Sequence, residues 1–367
     1  MKKTEVLFWA QFILVVVSST HQLSKWFFGV PVLIGCIVAV NLMVTKNIRW
    51  NKVTIFFLIM IFGYLFRSIS IGELLTLDFA QGVLLIISGY GLVTVFQELR
   101  ISNTGYYFAN TLLLFAVLFS LAARFVGFSQ AEAIGLVFLN SSYHLVAWIF
   151  LLLLGVLESH RTKVGLLPYL LFALLCVSLE GRTGVVVSLF LLAFKSFGLY
   201  HGNRVMHYAF ISGCTLVVYS VITYFDYTAL AGDLGGRGLL LGPREFIWLC
   251  YIDNISVSSF ILGFNPSSLQ WCTAPYIKGI SLESSLFSLN YNFGIFAVPL
   301  LYLVLRRLPS AYKEKKILLG IFLALIFRVG TGEFIFIGPF DWIFLAIFFS
   351  DYQKTPRSFN PNRHSLV

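Results

Sequence analysis

The chain has 367 residues, 58% of them hydrophobic and only 11% charged, with a mean hydropathy of +0.87. A soluble domain carries about 25% charged residues, so this chain cannot cover itself with a water-facing surface. A soluble enzyme is excluded, and so is a nucleic-acid-binding role for the net charge of +10; a polytopic membrane protein remains, in which that charge reports orientation.

A membrane-spanning helix needs about 20 mostly apolar residues. Twelve stretches approach this, at 6–20, 27–44, 53–66, 74–96, 106–125, 144–158, 164–179, 183–200, 207–225, 285–305, 316–329 and 334–350. The first follows Met1-Lys2-Lys3 like a signal peptide, but no small-residue cleavage site follows at Ser18-Ser19-Thr20-His21. An uncleaved first helix is expected. Residues 126–143, with Glu132 inside and His144 at the edge, read as a re-entrant or interfacial segment.

Between the ninth and tenth spans lies a long loop, 226–284, rich in Gly, Ser, Asp and Asn. Its Phe246, Trp248, Tyr251 and Trp271 argue against disorder, and the amphipathic stretch from Arg244 to Ile255 predicts short helices in a folded lid. The expected organisation is therefore spans one to nine in 1–225, the loop in 226–284, spans ten to twelve in 285–350, and a tail in 351–367. No internal repeat is visible, which weakens a reading as an inverted-repeat transporter.

With the N-terminus inside, the inner segments hold eighteen of the 26 Lys and Arg residues, and every inner loop obeys the positive-inside rule. Both termini are then cytoplasmic. Of the eight basic residues left outside, six are arginines: Arg67, Arg124, Arg182, Arg237, Arg244 and Arg328. Among the five cysteines, Cys36, Cys176 and Cys214 fall in apolar spans and read as packing residues. Cys250 and Cys272 share the outer loop and could pair. Asp78 and Asp341 fall within predicted spans, where a carboxylate needs a partner.

Arginine at a bilayer edge is expensive, and its forked, permanent charge suits phosphate or pyrophosphate. Arg67, Arg124 and Arg328 end spans, where they could equally snorkel to headgroups. Arg182 lies in Glu180-Gly181-Arg182-Thr183-Gly184, a tight turn opening a helix whose N–H groups also favour an anion. Arg237 and Arg244 are in the long loop. Two or three such side chains could stabilise a pyrophosphate leaving group without a metal. Glu283 precedes the tenth span and could accept a proton from a sugar hydroxyl, or could simply complement the helix dipole beside Ser281 and Ser284. Glu180 is a second candidate base, or the ion-pair partner of Arg182; Glu245, Asp253 and Glu333 are further carboxylates of the same kind. No nucleophile triad, zinc spacing or phosphate-cradling glycine loop is present.

Three stretches together resemble the superfamily of O-antigen polymerases and O-antigen ligases. Glu180-Gly181-Arg182-Thr183-Gly184 is similar to the family's small-residue–Arg turn before a span. Arg244 with Trp248, followed by Ile261-Leu262-Gly263-Phe264, resembles its Arg-x-x-x-Trp helix and downstream Leu-Gly turn. Glu283-Ser284 with Gly294-Ile295 resembles the polar pair before the span that follows the long loop. Ligases usually carry His-Asn at that pair, and Glu-Ser looks like the polymerase version.

The resemblance implies an all-α polytopic membrane protein of the GT-C type, with about twelve transmembrane helices and one large periplasmic loop containing short helices. It implies a bacterial inner-membrane glycosyltransferase acting on the periplasmic face without metal or other cofactor. Donor and acceptor would both be glycans on undecaprenyl pyrophosphate, with membrane lipid around them and a polysaccharide chain-length regulator as a further candidate partner. Arg182, Arg237 and Arg244 would hold the donor pyrophosphate, with Arg124 and Arg328 as additional candidates. Glu283, with Glu180 behind it, would activate the acceptor hydroxyl. Two alternatives stay open: an O-antigen ligase, differing only in its acceptor, and a lipid-linked oligosaccharide flippase or other transporter.

Overall fold

The structure, a computed structural model, describes residues 2–18, 29–45, 51–74, 76–97, 99–125, 143–179, 182–199, 249–263, 285–330 and 341–350. Every regular element among them is helical. In chain order they are α1 (Lys3–Ser18), α2 (Gly29–Val44), α3 (Lys52–Ser70), α4 (Leu77–Phe96), α5 (Asn103–Phe125), α6 (Tyr143–His160), α7 (Leu167–Ser178) and α8 (Arg182–Leu199). A helical stretch at 249–253 and α9 (Val257–Leu262) follow, then α10 (Ser285–Phe293), a 3₁₀ turn (Gly294–Phe296), α11 (Ala297–Leu305), α12 (Arg307–Glu314), α13 (Lys316–Gly330) and α14 (Asp341–Phe349). The expected span 207–225, the segment 126–142, most of the 226–284 loop and the 351–367 tail lie outside the described residues.

Local chemistry sets several of these boundaries. Asn51 caps α3 by accepting the Thr54 N–H at 3.0 Å. The helix closes in a Schellman motif: Gly72, at φ +74°, donates to the Ile69 carbonyl at 3.3 Å, and Glu73 donates to Ser68 at 2.9 Å. Thr76 then caps α4 through the Phe79 N–H. Asp78 is the second residue of this helix, which is itself a candidate membrane span. It stands exposed in the first turn of α4, where an acid complements the helix dipole.

The expected tenth span, read as continuous over 285–305, is interrupted. Gly294, at φ +53°, ends α10, and a 3₁₀ turn leads into α11. Taken across that turn, Phe287–Tyr312 is still one of four stretches long and apolar enough to cross a membrane. The others are Lys52–Ser70, Leu77–Phe96 and Asn103–Ala122. Five shorter apolar helices accompany them: Gly29–Val44, Val146–His160, Leu167–Ser178, Gly184–Ser196 and Lys316–Phe327.

Helix α4 packs against α2, α3 and α14, while α6 packs against α7, α13 and α14. Lipid is as apolar as leucine, so membrane helices associate through close packing of small residues. That is what joins α2 to α4: a Cβ on Gly91 would lie 2.5 Å from the Gly35 carbonyl and 2.7 Å from the Ala39 nitrogen. Aromatic rings fill the centre. Phe8, Phe96 and Trp342 form a triangle with centroids 5.3–5.9 Å apart, and Phe322 stacks on Phe348 at 4.4 Å.

The outer faces are as apolar as the interior. Leu33, Phe62, Phe115 and Val298 are all more than half exposed, an arrangement suited to lipid and not to water. An apolar groove of about 340 Å³ runs along α3 between Ile59, Phe62, Leu65, Phe66, Ile69 and Phe296. Cys176 is buried as expected and Cys36 is only half-buried; Cys250 is disulfide-bonded.

Candidate functional site

Polar groups gather at two opposite ends of α3. At the end where α3 begins, Asn51 reaches Gln97, which donates to the Phe349 carbonyl at 3.3 Å. Arg307 donates to Phe348 and Ser350 at the same end of α14. Glu158, 1% exposed at the end of α6, accepts from Lys195 at 2.5 Å, from Lys315 at 3.3 Å and from Tyr169 at 2.7 Å. Lys315 also donates to the carbonyls of Glu158 and Arg161. Arg161 spends all its nitrogens, on Lys163, Ser102 and Asn103. Buried Glu5 accepts from the Ser102 backbone and hydroxyl, each at 2.9 Å. These contacts tie helix ends together.

The other end is built differently. There the last turn of α3 meets α9, α10 and the 3₁₀ turn. Asn290 fastens the junction. Its carbonyl oxygen accepts the Tyr251 hydroxyl at 2.7 Å, and its amide donates to the carbonyls of Phe260 and Gly294 at 3.3 and 3.2 Å. Burial, and then the neighbouring Tyr291 phenol, push the Tyr251 hydroxyl above its usual range, so it stays a donor at neutral pH. Gly263, at φ +83°, lies so close to α10 that a Cβ would sit 2.6 Å from the Tyr291 carbonyl. A Cβ on Gly294 would collide with the Ile261 carbonyl. Only glycine fits at either position.

Arg67 stands at this junction. It is 4% exposed, its side-chain carbons lie beside Gly263, and its guanidinium lies 5.1 Å from the centroid of the Tyr291 ring. The Schellman turn brings Glu73 back over it, with Oε2 3.6 Å from Nη1.

The sequence-predicted site residues fall mostly elsewhere. Glu180, Arg237, Arg244 and Glu283 lie outside the described residues. Arg124, Arg182 and Arg328 belong to described helices, α5, α8 and α13, but their side chains are outside the description, as are those of His144 and Asp341. Asp253 is exposed. Among the described residues, no three His, Cys, Asp or Glu side chains gather as a metal site requires. What the fold does bring together are Ile261-Leu262-Gly263 and Gly294-Ile295, thirty residues apart in the chain, against Arg67.

Sequence reasoning missed Glu73, Asn290, Tyr251 and Tyr291 as parts of this end. Gly72 was a usable signal for Glu73, because glycine just past a helix end marks the reversal that folds the next residue back. The roles of Asn290 and Tyr251 depend on a contact across 39 residues, which no local pattern contains. Comparison with protein-family models, with curated proteins and with solved structures finds no match to this chain.

Proposed function

We propose that this chain is a GT-C-type inner-membrane glycosyltransferase of about twelve spans. It polymerises oligosaccharide repeat units carried on undecaprenyl pyrophosphate, on the periplasmic face and without a metal. One observation carries the reading. The described parts of two of the three stretches that resemble the O-antigen polymerases, Ile261-Leu262-Gly263 and Gly294-Ile295, pack against each other beside a buried arginine.

Two further features support it. Cys250, in a disulfide, neighbours Tyr251 at the Arg67 end, and disulfides persist on the oxidising side of a membrane. The opposite end gathers Arg161, Lys195, Arg307 and Lys315, as the cytoplasmic side should. In this mechanism Arg182, Arg237 and Arg244 neutralise the departing pyrophosphate. Glu283 takes the proton of the acceptor hydroxyl as it attacks the donor's anomeric carbon, and Glu180 assists.

The direct test is reconstitution of the purified chain with a lipid-linked repeat unit, without added metal or nucleotide. A ladder of polymer lengths is the expected product. Arg182→Ala and Arg244→Ala should lose it, and Glu283→Gln should reduce it by about 10²-fold or more. An intact ladder from both arginine variants removes the pyrophosphate role.

A further inference from the structure

The described arginines differ in how fully their donors are used. Arg161 places Nε, Nη1 and Nη2 on three acceptors at 2.8–3.0 Å, and Arg307 places Nε and Nη2 on backbone carbonyls at 3.1 and 2.7 Å. Both are only half-buried. Arg67 is far more buried, at 4% exposure, yet no hydrogen bond joins its guanidinium to a described residue. Its Nε is buried without a partner, and the nearest carboxylate, Glu73, stands at 3.6 Å, beyond hydrogen-bonding reach. A buried guanidinium nitrogen with an idle donor is costly unless something supplies an acceptor.

The surroundings show what would fit. The Tyr291 ring covers the guanidinium without using its in-plane donors. Glu73 is a third exposed and is held over Arg67 only by the turn that carries it, through Glu73 N to Ser68 and Thr76 Oγ1 to the Glu73 carbonyl. It balances the charge without saturating the fork. A tetrahedral anion with several oxygens would saturate it.

We infer that Arg67 is an anion site for a phosphate or pyrophosphate group, with Glu73 as a displaceable internal counter-ion that the incoming phosphate replaces. As an addition to the arginines assigned to the pyrophosphate above, this rests on the proposed function for the source of the phosphate; the site itself rests on the geometry of Arg67. Glu73 thereby sets the affinity, because any phosphate must compete with it.

The test is thermal unfolding of the full chain in detergent against inorganic phosphate, inorganic pyrophosphate and farnesyl pyrophosphate. A ligand that binds only the folded state raises the melting temperature with its concentration. Glu73→Gln removes the competitor and should tighten binding by about fivefold to tenfold, while Arg67→Gln should weaken it by at least about tenfold. Opposite signs are the signature, because a purely structural ion pair would make both variants weaken alike. Equal responses to inorganic and farnesyl pyrophosphate assign the site to the anion alone, and a response to the prenyl form only assigns it to a lipid headgroup. If Arg67→Gln does not fold, Glu73→Gln decides, and no tightening overturns the inference. An Arg67→Gln chain that binds normally also overturns it, while ladder formation, scored separately, leaves the polymerase reading standing. Pyrophosphate binding through Arg67 in a chain that forms no ladder gives the converse.

Discussion

Single residues here are governed by whether a buried polar group finds its partner. Glu158 balances two ammonium groups and a phenol within one shell. Glu158→Gln would remove the buried carboxylate that Lys195 and Lys315 share, and breaking a buried pair in this way costs about 3–5 kcal/mol. The expected result is a marked fall in melting temperature in detergent, partly recovered by adding Lys195→Met. A variant as stable as the parent would show that water reaches this cluster freely. Asn290 is the counterpart at the other end. Asn290→Ala removes the bond from the Tyr251 hydroxyl and both bonds to the Phe260 and Gly294 carbonyls, and about 2–3 kcal/mol should be lost. Tyr251→Phe removes only its own hydrogen bond and should cost about 1 kcal/mol. Comparable losses from the two would contradict the role of Asn290 as the fastening of three segments.

Elements are joined by glycines whose reasons differ. Gly72 has a positive φ with open space around it, so Gly72→Ala should cost only the strain of a left-handed residue, about 1–2 kcal/mol. Gly91 is helical, but its α-carbon lies against the backbone of α2. Gly91→Ala must therefore separate two helices, at about 1–3 kcal/mol, and Gly91→Leu should prevent α2 and α4 from docking. Gly294 combines positive φ with a carbonyl in the way. Gly294→Ala should therefore be the worst of the alanine variants, and it should also lower ladder formation, since it moves α9 relative to α10. Detergent melting curves for Gly72→Ala, Gly91→Ala and Gly294→Ala give this ranking directly.

At the scale of the whole molecule, apolar faces and two polar ends define a membrane bundle. The proposed orientation has a simple consequence for an impermeant thiol reagent applied to intact cells. Ser258→Cys, exposed on α9, should label above the parent background. Lys163→Cys, exposed after α6 at the opposite end, should label only once the membrane is permeabilised. Labelling of Lys163→Cys in intact cells would reverse the orientation and with it the periplasmic placement of Arg67.

Composition and hydropathy were enough to establish a helical membrane protein, because lipid exposure demands apolar surface wherever a helix runs. Helix ends were legible to within a few residues where caps are local, as at Asn51 and Gly72. The break at Gly294 was not, because a hydropathy window averages across a turn. The pairing of Glu158 with Lys195 and Lys315, and the meeting of Arg67 with Gly263 and Tyr291, belong to the tertiary structure alone. Each depends on helices distant in the chain bringing charges to one depth. A sequence records that an arginine ends a span, but its choice between lipid headgroup and buried anion site is made by what packs over it.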